Sequence, residues 1–202
     1  MARIISFTGP SGSGKSTLAK GLIAKHAGKV SFMESITTRL PRTKEEQASG
    51  EYRFVSIPEF EQMREHDEFL WYVTHNDVSY GTRKEAVGHA LQQEERVTLM
   101  ILVPQVLGTL YDFIIKERRA HGDVSDAWVA CYLNPPDPEE LSRRLMRRGD
   151  TDEMIRARAA SESNWFNEAR KCGKSLQLLH GSRTVSQNIA CIEHFLHLHH
   201  VA

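Results

Sequence analysis

The chain contains, near its beginning, the stretch Gly9-Pro10-Ser11-Gly12-Ser13-Gly14-Lys15-Ser16-Thr17. This stretch fills every fixed position of the phosphate-binding loop pattern: glycine, four variable residues, glycine, lysine, and serine or threonine. An apolar run, Ile4 to Phe7, precedes it, and a helix-forming segment, Ser16 to His26, follows it. Because the strand, turn and helix that surround such a loop are all predicted, the stretch indicates a binding site for a nucleoside triphosphate.

Each residue type in the loop has a physical role in holding phosphate. Glycine permits unusual backbone angles and close approach, so successive N–H groups can point at phosphate oxygens beside the positive end of the helix dipole. Lys15 adds a positive charge that can reach the outer phosphates, and the Ser16 hydroxyl is suited to ligating Mg²⁺. We therefore expect residues 9–17 to bind ATP and Ser16 to contact the metal.

The bulk composition excludes several classes of protein. The 202 residues suit one domain with appendages, and Lys plus Arg equals Asp plus Glu at 26 each, so no overall field favours nucleic acid or a membrane surface. Three widely spaced cysteines, Cys131, Cys172 and Cys191, predict reduced thiols. No apolar stretch reaches membrane-spanning length. The composition predicts a cytoplasmic protein with a small-molecule ligand and neither nucleic acid nor membrane as partner.

Apolar runs alternate with amphipathic segments along the chain. The predicted strands are Ile4 to Phe7, Val30 to Met33, Val97 to Val103, Ala127 to Leu133 and Leu176 to Leu179. The predicted helices are Lys15 to His26, Thr82 to Gln93, Gln105 to Ala120, Asp137 to Arg147, Asp152 to Cys172 and Val185 to His197. Such alternation predicts an α/β fold with a five-stranded parallel sheet flanked by helices.

The pattern changes between Ser35 and Gly81. There, short strands at Tyr52 to Ser56 and Phe69 to His75 surround a helix that starts near Pro58, which predicts an inserted α+β subdomain. A second polar insert, residues 143–158, is rich in arginine.

A second phosphate site is indicated by the stretch Ser35-Ile36-Thr37-Thr38-Arg39-Leu40-Pro41-Arg42. Its two guanidiniums lie three residues apart around a rigid proline, an arrangement suited to binding one phosphate bidentately. Tyr52 and Tyr80 are candidate hydroxyl donors from the inserted segment.

With these motifs the chain resembles the guanylate kinase family from residue 2 to about residue 180. Besides the loop and the Ser35 to Arg42 stretch, the resemblance is carried by Glu45, Tyr52 to Ser56, Tyr80-Gly81-Thr82, the segment from Pro135 to Gly149, and Ile155 to Arg158. It implies a nucleoside monophosphate kinase that uses ATP and Mg²⁺. The implied organisation is a core with the loop (1–35), a subdomain that binds the monophosphate (36–82), core (83–142), lid (143–158) and core (159–202).

The same resemblance implies roles for individual residues. The acceptor site would contain Ser35, Arg39, Arg42, Glu45, Tyr52, Tyr80 and Thr82, with the two arginines and two tyrosines on the acceptor's phosphate. Lys15, Arg144, Arg148 and Arg158 would act on the transferred group. Arg144 and Arg148 are four residues apart and so share one helix face.

Two positions depart from the family pattern. Guanylate kinases usually have an acidic residue directly after Glu-Phe-Leu, where this chain has Trp71, and an Asp-x-Asp pair at the end of the third core strand, where Leu99-Met100-Ile101-Leu102 is apolar. Trp71 and Met100 therefore predict a flatter, more apolar pocket that reads guanine less closely. A shift in register that lets Glu34, Glu68 or Asp77 supply the carboxylate is the alternative.

GMP or dGMP is the leading acceptor by resemblance. A phosphorylated sugar is the second possibility, as in the related ribose 1,5-bisphosphate phosphokinases, which also lack the paired aspartates. A third is a non-catalytic binding module of the kind found in scaffolding proteins, although such modules typically have damaged phosphate loops and this loop is complete.

Overall fold

The computed structural model describes residues 4–75, 77–93, 95–119, 127–173 and 175–196 of the 202-residue chain. In chain order the elements are β1 (Ile4–Thr8), α1 (Lys15–Lys25), β2 (Val30–Phe32), β3 (Ser35–Thr37), α2 (Lys44–Gln47), β4 (Tyr52–Phe54), α3 (Ile57–Glu65), β5 (Phe69–His75), β6 (Val78–Arg83), α4 (Lys84–Gln92), β7 (Val97–Ile101), α5 (Leu107–Arg119), β8 (Trp128–Asn134), α6 (Pro138–Arg147), α7 (Asp152–Glu162), α8 (Trp165–Arg170), β9 (Leu176–His180) and α9 (Val185–Leu196), with a 3-10 turn at Pro104–Val106.

The main sheet has five strands in the order β2-β7-β1-β8-β9, and all its pairings are parallel. These are the five strands predicted from the apolar runs, so the α/β fold is confirmed. The strand order reverses at β1. The loop that follows β1 leaves from the carboxyl end of this strand and therefore lies at the point of reversal. Ligands of open α/β sheets bind at such a point.

The two faces of the main sheet bury separate apolar clusters because strand side chains alternate between faces. On one face Leu99 packs with Leu22 of α1 and Ile192 of α9. On the other face Met100 packs with Val87 of α4 and with residues of α5 and α8. Helices therefore cover both faces, as a buried parallel sheet requires.

A second sheet has the order β4-β3-β6-β5 and lies within the inserted segment. Strands β3 and β4 are parallel, whereas β6 pairs antiparallel with both β3 and β5. Helix α3 covers this sheet through a small core in which Phe60 stacks on Phe69 with ring centroids 4.6 Å apart, next to Ile36 and Met63.

Several predicted segments differ from the structure. The strand expected over Tyr52 to Ser56 ends at Phe54, and Ser56 is the N-cap of α3. Thr82 was expected to begin a helix, but it lies in β6 because residues 78–83 pair with β5, and α4 begins only at Lys84. The strand expected to run to Val103 ends at Ile101, just before the turn that Pro104 starts.

The helix expected from Asp152 to Cys172 is two helices, α7 and α8. The interruption falls at Ser163 and Asn164, and the Ser163 hydroxyl donates back to the Ala160 carbonyl at 2.9 Å. Serine and asparagine compete with the helix for backbone hydrogen bonds in this way. The predicted helix ends at Ala120 and His197 lie outside the described residues. Within the described ranges, no helix combines the length and apolar character needed to span a bilayer.

Candidate active site

The phosphate loop connects β1 to α1, and its glycines are required by the backbone. Gly9 has φ 146°, and a Cβ added to it would lie 2.3 Å from the Leu133 carbonyl oxygen of β8. Gly14, at the N-terminus of α1, has φ 106°. No side chain caps this helix, and its first turn holds no acidic residue. The first N–H groups of α1 are therefore available to an anion.

Lys15 points back across the loop. Its Nζ donates to the carbonyl oxygens of Gly9 at 2.6 Å and Pro10 at 2.8 Å. Burial lowers the pKa of Lys15 from 10.5 to about 8, against the opposing influence of the Glu162 carboxylate. The ammonium is thus charged at neutral pH and loses its proton as the pH rises through 8.

A cavity of about 750 Å³ joins the loop to the inserted segment. Residues 11–17 form one wall, and Arg42, Glu46, Glu51 and Tyr52 form the opposite wall. Arg144 and Arg148 lie at its edge. Of the residues expected at the second phosphate site, Arg42 and Tyr52 line the same cavity as the loop, whereas Arg39 and Tyr80 are not among its described lining residues.

The wall formed by Arg42, Glu46, Glu51 and Tyr52 is here termed the acceptor wall. Arg39 is not among the described lining residues but contacts this wall from behind. Its Nη1 and Nη2 donate to the two carboxylate oxygens of Glu46 at 3.0 and 2.8 Å, and its guanidinium lies 5.2 Å from the ring centre of Tyr52. Burial acts to lower the pKa of Arg39, but the ion pair with Glu46 outweighs it and raises that pKa. The backbone N–H of Arg42 donates to the same Glu46 carboxylate at 2.7 Å.

The two tyrosines continue this wall. Tyr52 and Tyr80 meet edge to face with centroids 6.3 Å apart, and burial raises the pKa of the Tyr52 hydroxyl. Tyr52 therefore keeps its proton and remains a hydrogen-bond donor. Ser35 pairs with Tyr52 across β3 and β4, and its N–H donates to the Glu51 carbonyl at 3.0 Å.

Glu46, which was not among the expected site residues, pairs with Arg39 and accepts the Arg42 N–H, and the expected acceptor-site residue Glu45 is its neighbour in α2. Glu45 is exposed, and a hydrogen bond from its own backbone N–H lowers the pKa of its carboxyl group. The sequence carries a signal for Glu46 in the capping-box spacing Thr43-x-x-Glu46: the Thr43 hydroxyl accepts the Glu46 N–H at 3.1 Å. The cap therefore fixes the backbone of Glu46 at the start of α2, and the Glu46 carboxylate accepts from Arg39 and from the Arg42 N–H.

The three expected lid arginines surround the loop. Arg144 donates to the carbonyl oxygens of Gly12 at 3.5 Å and Gly181 at 3.1 Å, and Arg158 Nη1 donates to the Ser11 hydroxyl at 3.2 Å. Arg148 lines the cavity.

Each of these arginines also has a carboxylate partner that sequence reasoning missed. Arg144 Nε donates to Glu140 at 2.7 Å, and Asp150 lies 2.6 Å from Arg148 Nη2 and 3.6 Å from Arg158 Nη2. The Glu140 pairing follows the i,i+4 spacing of a helix and was therefore visible in the sequence.

Trp71, Thr82 and Met100 do not belong to the described lining of the cavity. Trp71 is 9% exposed and packs in the same buried cluster as Met33 and Met100. It pairs with Thr82 across β5 and β6, so the two side chains share a face of that sheet. Neither the Trp71 indole N–H nor the Thr82 hydroxyl has a hydrogen-bond partner among the described residues.

The acidic residues considered as substitutes near this cluster are not buried. Glu34 and Asp77 are exposed, and Glu68 is half-buried. The wall around Trp71 is therefore built from apolar groups with two unpaired polar atoms.

The candidate ligand for a metal ion is Ser16 of the phosphate loop. Within the part of the chain that the structure describes, no three His, Cys, Asp or Glu side chains are grouped to hold an ion. Ser16 is exposed at the start of α1 and lines the cavity, which fits a hydroxyl that ligates Mg²⁺ together with phosphate oxygens and water.

Comparison with known proteins gives concordant results. The guanylate kinase family model matches residues 1–172. A guanylate kinase from Porphyromonas gingivalis is 35% identical over 160 residues, covering 78% of this chain and 79% of the relative. One from Clostridium perfringens is 33% identical over 169 residues, covering 83% and 72%.

Two solved structures share the fold at low identity. The crystal structure of guanylate kinase from Anaplasma phagocytophilum has a TM-score of 0.64 at 17% identity and covers 100% of this chain and 87% of that one. The YorR protein of Bacillus subtilis, solved in complex with phosphorylated GDP, has a TM-score of 0.53 at 15% identity, covering 98% and 99%.

Proposed function

This chain belongs to the guanylate kinase family, and from that premise we propose that it transfers the terminal phosphoryl group of ATP to a nucleoside monophosphate, GMP or dGMP first among them. The products would be the nucleoside diphosphate and ADP. One observation carries the proposal: the phosphate loop and the wall containing Arg42 and Tyr52 face each other across a single cavity of about 750 Å³.

The acceptor's phosphate would bind at the wall formed by Arg39, Arg42, Tyr52 and Tyr80, with Ser35 and Glu45 as further members of the acceptor site. A phosphate monoester has a second pKa of about 6 and is mostly dianionic at neutral pH, so its oxygen can attack without a general base. The task of these side chains is to align that oxygen. The raised pKa of Tyr52 supports this role, since its hydroxyl remains a donor throughout the neutral range.

The donor ATP would bind at residues 9–17, with its phosphates on the free N–H groups of α1. When bound through Ser16, Mg²⁺ would supply charge neutralisation on the phosphates. Lys15 would exchange the Gly9 and Pro10 carbonyls for phosphate oxygens. Arg144, Arg148 and Arg158 would stabilise the transferred group, a contribution that for one such arginine is about a thousandfold or more in rate in related reactions.

We also propose the division of the chain into core (1–35, 83–142 and 159–202), acceptor-binding subdomain (36–82) and lid (143–158). The second sheet and the arginine-rich helix ends support this division. Movement of the subdomain and lid toward the loop would exclude water and limit hydrolysis of ATP.

The base of the acceptor would lie against Trp71, Thr82 and Met100. Two unpaired polar atoms in a buried apolar wall support a ligand site, because leaving such groups unsatisfied costs about 1–3 kcal/mol each. The indole N–H can only donate, so it cannot accept the ring and amino hydrogens of guanine as a carboxylate does. We infer a less stringent preference for guanine than a carboxylate pair would impose.

A phosphorylated sugar is the second candidate acceptor. The observation that favours it is the packing of Trp71 and Met100 into the core, away from the described lining of the cavity. A ring-sized pocket beside the phosphate wall is not needed for a ribose phosphate, whereas Arg39, Arg42 and the tyrosines would serve either ligand.

The experiment is an assay of ADP release with every common ribo- and deoxyribonucleoside monophosphate and with ribose 1,5-bisphosphate. We expect turnover with at least one purine monophosphate and about a thousandfold less in a Lys15→Ala preparation purified in parallel. Turnover with ribose 1,5-bisphosphate alone would transfer the assignment to the sugar kinase. ATP binding without transfer to any acceptor would contradict both and would favour a binding module.

A further inference from the structure

Glu162, at the end of α7, reaches the phosphate loop across 151 positions of sequence. Its Oε2 accepts the backbone N–H of Ser11 at 2.7 Å, and its Oε1 accepts the Ser11 hydroxyl at 2.7 Å. Arg158, one turn earlier on the same helix, donates to the Ser11 hydroxyl at 3.2 Å. Helix α7 thus contacts the loop through Ser11.

The contact resembles anion binding. Two oxygens bearing one negative charge receive a loop N–H and a hydroxyl, which is how such loops hold phosphate. The Glu162 charge also acts on Lys15, whose pKa it raises against the effect of burial. Glu162 therefore uses donors and a cation that a nucleotide phosphate would use.

The neighbouring Arg144 contact is different in kind. Arg144 donates to the carbonyl oxygen of Gly12, and its charge is balanced by Glu140. It occupies none of the loop's N–H groups, so it can remain in place when a phosphate binds. Of these two contacts, from α6 and α7 to the loop, only that of Glu162 occupies a donor of the loop.

We propose that Glu162 is an internal competitor for the phosphate loop, which the terminal phosphate of the nucleotide displaces. The Ser11 N–H cannot make full hydrogen bonds to both Glu162 and a phosphate. The Glu162 carboxylate and that phosphate would also repel each other beside Lys15. Displacement would release Arg158 from Ser11 and make its guanidinium available to the phosphate that has taken the place of Glu162. The proposal rests on the proposed function in that it takes the loop's ligand to be a nucleoside triphosphate.

Glu162→Gln is the appropriate variant because it preserves the size of the side chain and removes its charge. Charge-assisted hydrogen bonds are roughly twice as strong as neutral ones, so we expect the dissociation constant of Mg-ATP to fall by about threefold or more. The melting temperature without nucleotide should decrease, while the shift produced by saturating Mg-ATP should increase. Glu153→Gln, at an exposed position in the first turn of α7, is the matched control and should change neither binding nor the shift.

A purely structural role makes a different prediction. If Glu162 only anchors α7, the variant will melt at a lower temperature but bind Mg-ATP with unchanged or weaker affinity, and the competition model is then wrong. Glu162→Ala provides a second test, with tighter binding again expected. Titrations are made without an acceptor, so they do not depend on turnover. If the wild type binds Mg-ATP here but transfers phosphate to no acceptor in the separate ADP-release assay, the kinase assignment is contradicted and this comparison remains intact. Failure of the wild type to bind Mg-ATP would contradict both.

Discussion

The cavity walls that we propose to bind phosphate, here termed the phosphate walls, and the buried wall around Trp71 differ in how they are built. The phosphate walls present backbone N–H groups and Lys15, and three arginines, Arg39, Arg144 and Arg148, have carboxylate partners. The Trp71 wall is apolar and holds an indole N–H and a hydroxyl that have no hydrogen-bond partner within the described part of the chain. Under the proposed function, phosphate would be selected through charge and backbone geometry, and the attached group through a few uncharged contacts.

The contrast has an energetic side. Charged hydrogen bonds at the phosphate walls contribute about 1.5–3 kcal/mol each, whereas apolar contacts separate similar ligands by about 10 to 200-fold at most. We therefore expect substitutions at the phosphate walls to affect every acceptor alike, and substitutions at the Trp71 wall to change the preference among acceptors.

The largest effect is expected for Lys15→Ala. Removing the ammonium leaves the transferred charge without its mobile cation, and kcat should fall by about a thousandfold. Stopped-flow or coupled ADP-release kinetics measures this. Lys25→Ala, on the same helix but paired with Glu193, should retain full activity. Similar losses with the two variants would indicate damage to α1 instead of a role for the Lys15 charge.

Arg39→Ala should have the next largest effect. It removes a cation and leaves the half-buried Glu46 carboxylate without its guanidinium partner, so kcat/KM for the acceptor should fall by about a hundredfold. The dissociation constant of Mg-ATP should remain unchanged, since Arg39 lies on the opposite wall. Arg53→Ala, which breaks the exposed pair with Glu59, is the control. Equal loss for every acceptor tested would support phosphate recognition, and loss for one base only would contradict it.

The sequence was sufficient for the parts of this arrangement that depend on local geometry. The loop motif, the five core strands and the Arg39-Arg42 spacing are patterns of neighbouring residues, and β1, α1 and the main sheet follow them. Strand β6 was missed because its pairing with β5, and not its own composition, makes it a strand.

Long-range contacts account for the rest. Glu162 meets Ser11 only after α6 and α7 have folded over the loop, and no spacing rule connects residues 151 positions apart. The burial of Trp71 beside Met100 likewise follows from the packing of the second sheet on the main one. Glu46 is an intermediate case, because its capping-box spacing was present in the sequence while its pairing with Arg39 was not.

A smaller effect concerns pH. Because the pKa of Lys15 is lowered to about 8, its charge is lost as the pH rises, and the affinity for Mg-ATP should fall about tenfold between pH 7 and 9. Binding should be accompanied by proton uptake near pH 8, measurable by calorimetry in buffers of different ionisation enthalpy. Lys15→Arg keeps its charge above pH 12 and should bind with an affinity that is flat over this range. A flat wild-type profile would show that the ammonium keeps its proton to higher pH.

The mildest substitution tests the Trp71 wall directly. Trp71→Phe removes an indole N–H that has no partner among the residues that the structure describes, so the melting temperature should change little. Trp128→Phe removes a hydrogen bond to the buried Ser6 hydroxyl at 2.9 Å and should lower the free energy of unfolding by about 1–3 kcal/mol. If the Trp71 N–H contacts the base, KM for the preferred monophosphate should rise by about threefold or more while KM for ATP remains constant. Trp165→Phe, half-buried in α8 against the same cluster, controls for loss of aromatic volume. An unchanged order of acceptors in Trp71→Phe would assign the indole to packing alone, and the preference among acceptors would then depend on Thr82 and the shape of the apolar wall.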